Sequence, residues 1–266
     1  MNIFQRMGQG VTHWAYQLGH STSDAFHNSV EATENAFNYI KSTVDDAINT
    51  GQTEIARAIA GKKAEEFSEI IESIRTLWPE IESDLGSQLV LLNEAASYRA
   101  VSYINPTLAQ SSYQPHHQSE IVDVMTKFAN LPGMHALLAQ CYNLGMKSWG
   151  LEFAGDAGLI LSGSFASGVY ADILNPSECQ TVAVFGVGIG ITVGAGLGGV
   201  FVLNKSPAKQ CTGSSFSVVV EAIYGGGAES EIEFDLPDFS FSGIAFAPKA
   251  GIEINISAGA SYTIKS

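Results

Sequence analysis

Cysteine is scarce in this chain. The three residues, Cys141, Cys179 and Cys211, include no CxxC spacing. That excludes a disulfide-built scaffold and the paired-thiol arrangement of a structural zinc or dithiol redox centre. Basic residues are also few, with 13 Lys and Arg against 27 Asp and Glu and a net charge of −14. Nucleic-acid affinity rests on clustered Lys and Arg, so nucleic acid is excluded as a partner. No polybasic patch is available for anionic lipid either.

Catalytic signatures are absent as well. No GxxxxGK[ST], HExxH or GxSxG occurs. The GxG elements in residues 186–199 lack the following helix and distal acid of a dinucleotide fingerprint. All six histidines lie before residue 136, away from the richest Ser and Thr content, and no Ser/His/Asp or Cys/His arrangement can be assigned. No enzyme activity, metal or cofactor is expected. His13, His20 and His27 are seven apart and His116-His117 are adjacent, whereas metal ligands are spaced about one helical turn apart with a third nearby; these read as solvent-facing. The opening MNIFQRMGQGVTHWAYQLGH has no uninterrupted apolar run, so a secretory signal peptide is not expected. The localisation is left open, with a soluble form, its release and its association with membrane all compatible with the sequence.

What is present divides by glycine, with 9 in residues 1–150 and 18 in residues 151–266. Glycine disfavours helix by about 1 kcal/mol relative to alanine. The fold expected is therefore α+β: an amphipathic helical bundle over 1–150, then a Gly-rich antiparallel β-sandwich or partly closed barrel over 151–266.

In the first half, Phe26, Val30, Thr33, Phe37, Ile40, Val44 and Ala47 form a heptad stripe, read as bundle core with self-association as the competing use. A second helix starts near Thr53 with Ile55, Ile59, Phe67, Ile70, Ile74, Leu77 and Ile81 on one face. Pro79 is expected to kink or restart it. The stripe resumes through Leu85, Leu89, Leu92 and Ala96 to Asn105-Pro106. Ser119 is expected to cap a further helix, and a last one runs from Met134 to about Trp149.

In the second half, period-two alternation marks strands at 216–224, 229–236 and 252–264. Glu229, Glu231, Glu233 and Asp235 form a comb of carboxylates, read as the solvated face of an edge strand. Gly163, Gly168 and Gly243 are expected at bulges.

One segment stands apart. From Cys179 to Asn204 there is no charge. Residues 181–204 are long enough for a membrane helix, with Gly186, Gly190, Gly194 and Gly198 four apart. Val187, Ile189, Ile191 and Val193 alternating with small residues instead favour two strands turning at Gly194-Ala195-Gly196. The side chains expected to meet hydrocarbon are Val182, Val184, Phe185, Val187, Ile189, Ile191, Val193, Leu197, Val200 and Phe201. Folding there would bring Cys179 and Cys211 to one end of the sheet, where they could pair in an oxidising setting.

The functional expectation is a membrane-active, pore-forming-toxin-like protein. Its 181–204 hairpin is shielded in the soluble form and inserts after binding or oligomerisation, with lipid membrane and self-association as its partners. The alternative is a non-enzymatic ligand-binding or oligomeric assembly module with an ordinary buried β core.

Overall fold

The computed structural model describes residues 51–104, 116–154, 164–188, 199–222, 228–236, 238–248 and 259–265. The heptad stripe at 26–47 and the histidines at 13, 20 and 27 lie outside these, as does most of the 252–264 alternation.

Three helices are described: α1 (Gln52–Ile104), α2 (Gln118–Ala129) and α3 (Met134–Asn143). α1 is one element of 53 residues that stays helical through Pro79. The proline removes one backbone donor, but Trp78 beside it is buried at 1% exposure and anchors the chain there. The buried stripe of α1 runs Ala56, Ala60, Ala64, Phe67, Ile71, Ile74, Trp78, Ile81, Leu85, Leu89, Leu92 and Ala96. Its steps of three and four make one apolar face, and the opening alanines let the backbone approach its neighbour closely. α2 begins one residue before Ser119, with His117 as its cap, and the His117 amide donates to Glu120 Oε2 at 2.9 Å, the return half of a capping box. α3 ends well before Trp149. Gly145 takes φ +90° and turns the chain out of the helix, so Trp149 falls in the first strand.

Eight strands follow: β1 (Ser148–Ala154), β2 (Ser164–Asp172), β3 (Cys179–Gly188), β4 (Val200–Asn204), β5 (Gly213–Ala222), β6 (Ala228–Asp235), β7 (Ser240–Phe246) and β8 (Gly259–Lys265). They close into a barrel in the order β1-β2-β3-β8-β5-β6-β7-β4, every pairing antiparallel. The chain is α+β, as expected, and of the two expected β architectures, a sandwich or a partly closed barrel, it takes the barrel, with the ring closed. Closure removes the edge strands that an open sheet would have to protect.

The three described helices share their core with the strands. α1 contacts β1, β2, β3, β5 and β6, and one hydrophobic core holds side chains from all three helices and from the strands. Its centre is aromatic: Trp78 meets Phe128 at 6.2 Å, Phe128 meets Trp149 at 4.9 Å, Trp149 stacks on Phe201 at 5.8 Å, and Phe201 meets Phe246 at 5.4 Å. α1, α2, β1, β4 and β7 are thus joined through five rings.

Among the described residues the two arms of the expected 181–204 hairpin do not pair with each other. β3 lies between β2 and β8, and β4 lies between β1 and β7. Local alternation cannot distinguish a hairpin from two strands that cross to different partners, and in a closed ring the second arrangement won. Gly168 sits in unbroken register opposite Glu152 and forms no bulge. The register shift expected near Gly243 is present, where Glu233 faces Gly243 but Phe234 faces Phe241.

Candidate functional site

A closed ring sends alternate side chains inward and outward. Here the apolar set, with Trp149, Leu151, Phe153, Phe201, Leu203, Ile244 and Phe246, packs in the core shared with the helices. The other set holds Glu152, Tyr170, Gln180, Asn204, Ser217, Glu231 and Glu233.

Two observations place this polar set in the lumen. Glu152 of β1 and Tyr170 of β2 both feel the charges of β6, three and four strands away round the ring; that coupling runs across the interior. The segment that leaves β4 and enters β5 also crosses one end of the barrel. There Ser148 Oγ of β1 donates to Ser206 O at 2.7 Å, Ala208 N donates to Asp172 Oδ1 of β2 at 2.6 Å, and Gln180 Nε2 of β3 donates to Ala208 O. The barrel thus turns its polar side chains inward, beside a smaller apolar cluster, and packs its larger apolar set outward against the helices.

Inside, the Tyr170 hydroxyl donates to Glu152 Oε1. The ring lies over Gly150, where a Cβ would collide with it and stand 2.6 Å from Val169 O; glycine at 150 is what lets the tyrosine lie across the lumen. Val182, Val200, Val202, Ala208 and Ala245 pack round the tyrosine.

Burial dominates the electrostatics. It pushes the Glu152 carboxyl up to about 7, against which the Tyr170 hydrogen bond acts and to which Glu231 adds. Burial raises Glu231 too, and holds Glu233 well above the ordinary carboxylate range with Glu152 and Glu231 as further causes. Tyr170 is raised by burial and then by Glu152. Three carboxyls in one low-dielectric space cannot all ionise cheaply, so the lumen holds protons at neutral pH. Glu152, Glu231 and Glu233 each keep only a small exposed surface.

Of the residues expected to enter lipid, Val182 and Val200 are in the lumen cluster with Val184 against it, while Phe201 is in the outer core. Phe185 and Val187 lie in β3 opposite Tyr262 and Ala260. Ile189, Ile191, Val193 and Leu197 are outside the described residues. The set is therefore divided between the two faces of the sheet. Cys179 and Cys211 are free thiols, Cys179 in the helix-facing core and Cys211 against the lumen cluster. Burial pushes them up to about 11 and about 12, which makes both poor nucleophiles.

The comb of β6 was visible in the sequence but assigned to the wrong environment, since β6 is paired on both sides and its Glu231 and Glu233 point inward. Glu152 and Tyr170 had no signal beyond small residues alternating with them. Among the described residues no group of three or more His, Cys, Asp or Glu is placed to hold a metal ion. His116 instead lies 3.2 Å from Glu94 and 3.4 Å from Glu120 at the surface.

The class defined by this arrangement is a small antiparallel barrel with buried carboxyls in its lumen and a helix-covered apolar exterior. No family model matches the chain, and no curated protein matches it. Among solved structures, a beta-barrel-like, uncharacterized protein from Brucella abortus is similar over 57% of this chain and 94% of that one. It is 14% identical with a TM-score of 0.36, a likeness that carries no argument about function.

Proposed function

We propose that the protein acts at membrane surfaces, with the apolar exterior of its barrel meeting lipid once the helices move aside. The observation that carries this reading is the barrel's apolar exterior, with the carboxyls of Glu152, Glu231 and Glu233 turned inward. Soluble barrels of this size normally fill their lumen with apolar side chains, whereas barrels that face lipid are apolar outside and polar inside.

Magnitude favours a seat in one leaflet over a transmembrane pore. Trp149 to Phe153 spans about 13 Å along the strand, or about 10 Å along the barrel axis after tilt, against about 30 Å of hydrocarbon. Among the described strands only β2, β3 and β5 reach the roughly nine residues that a tilted crossing needs. No helix among the described residues is long and apolar enough to cross a membrane. The net charge of −14 favours zwitterionic over anionic lipid.

The test is vesicle flotation with dye-loaded liposomes. The reading expects the protein to float with phosphatidylcholine vesicles more than with phosphatidylserine vesicles, without dye release. No flotation on any lipid would refute the membrane role, and rapid release would replace a surface seat with a pore. The second reading, a ligand-binding module, is favoured by polar atoms left without partners in the lumen, Gln180 Oε1 and Asn204 Nδ2.

A further inference from the structure

Beneath the 205–212 crossing, the mouth of the lumen encloses a cavity of about 60 Å³ walled by Tyr170, Asn204, Ser215, Glu233, Asp235 and Thr263. These six come from five strands, so the site exists only because the ring is closed. One water needs about 10–15 Å³ of such space; the cavity therefore suits a molecule of a few heavy atoms.

Asn204 is 7% exposed, lines this cavity and has an Nδ2 without a hydrogen-bond partner. A buried amide donor left unpaired is costly, and a ligand acceptor would relieve it. A Cβ on the neighbouring Gly243 would stand 2.9 Å from Asn204 Oδ1 and 3.0 Å from Glu233 Oε2, so the amide and the carboxyl lie close to each other. Asp235 lies two residues beyond Glu233 on the same strand and adds a second acidic group to the wall. The wall therefore offers the unpaired Asn204 amide donor, the Ser242 hydroxyl and two carboxyls, Glu233 and the more exposed Asp235, which also feels Lys205, and no group of described residues is arranged for a metal ion.

We propose that the lumen mouth binds a small amino alcohol, with its ammonium against Glu233 and Asp235 and its oxygen accepting from Asn204 Nδ2. A charged ammonium and an adjacent oxygen are the smallest set that answers both carboxyls and the amide. A free amino alcohol and the headgroup of an aminophospholipid share this chemistry. The site stands on the lumen alone, and its success or failure is separate from that of the membrane reading.

The experiment is thermal unfolding and calorimetry of the full chain at pH 8 with ethanolamine, ethylene glycol and propylamine. The last two probes each lack one of the recognised groups. Ethanolamine should raise the melting temperature saturably and bind at least ten-fold more tightly than either control. Glu233→Gln and Asn204→Leu should each weaken it about ten-fold. Binding should release protons rather than take them up, read by calorimetry in two buffers of different ionisation enthalpy, because burial raises the Glu233 carboxyl and an adjacent ammonium opposes that rise. Glycerophosphoethanolamine that competes assigns the site to the headgroup; failure to compete assigns it to the free amino alcohol. Should Asn204→Leu not fold, Thr263→Val on the same wall takes its place, with a several-fold loss expected. Equal responses to the three probes, no saturable response, or unchanged affinity in the folded variants would overturn the proposal.

Discussion

Glu152→Gln tests the electrostatics of the lumen. The wild-type carboxyl moves from the ordinary 4.5 to about 7 on folding, chiefly through burial. Between those values the native state keeps a proton that the unfolded chain has released, so unfolding free energy falls as pH rises through the window and levels off above it. With about 1.4 kcal/mol for each unit, the loss attributable to Glu152 is about 3 kcal/mol between pH 4.5 and 8. Glutamine keeps an oxygen able to accept from Tyr170 and carries no charge. Its stability should match the wild type within about 1 kcal/mol at pH 5 and exceed it by about 3 kcal/mol at pH 8.5, by the same conversion. Urea unfolding followed by the fluorescence of the buried Trp78 and Trp149 reads this directly, provided that the m-value is unchanged. Glu231 and Glu233 are raised as well, so the variant should retain a pH slope, shallower by one group. Parallel curves for the two proteins across pH 5 to 8.5 would refute the buried-carboxyl account.

Tyr170→Phe removes the hydroxyl that donates to Glu152; at pH 8 it should cost about 1–3 kcal/mol, read by the same unfolding assay, and less at pH 5 where the carboxyl is neutral. Trp149→Ala deletes the ring between Phe128 and Phe201 and should cost about 3–5 kcal/mol in the midpoint of chemical unfolding. Gly150→Ala would push the Tyr170 ring out of the lumen, and its melting temperature should fall by more than a typical surface glycine-to-alanine change produces. Cys179 and Cys211 should resist alkylation by iodoacetamide at pH 7.5 until denaturant is added, since both thiols are raised and shielded.

The sequence made the elements legible more readily than their partners. The apolar stripe of α1 and the alternation of β5 and β6 follow from periods of 3.6 and 2, which are local properties. Closure of the barrel is not local. The Val182 and Phe201 arms read as a hairpin because nothing in their own alternation records that β8 pairs with one and β7 with the other. Pro79 looked like a break since its missing donor is visible in sequence, while the burial of Trp78 beside it is not. The candidate site was half visible: Glu231 and Glu233 stood out as a comb, but whether a carboxylate face meets water or a lumen depends on ring closure. Glu152 and Tyr170 are single residues whose meaning arises only when Gly150 brings the ring across them.

The central claim is that the barrel hides an apolar exterior beneath removable helices. Ser97 Oγ of α1 lies 3.0 Å from Ser167 Oγ of β2, so the Ser97→Cys, Ser167→Cys pair should form a disulfide that pins α1 to the barrel. Flotation of this variant on phosphatidylcholine vesicles is the most direct measurement. The account predicts that the oxidised protein stays with the soluble fraction and that reduction restores flotation to the wild-type level. Equal flotation of the oxidised and reduced forms would contradict it.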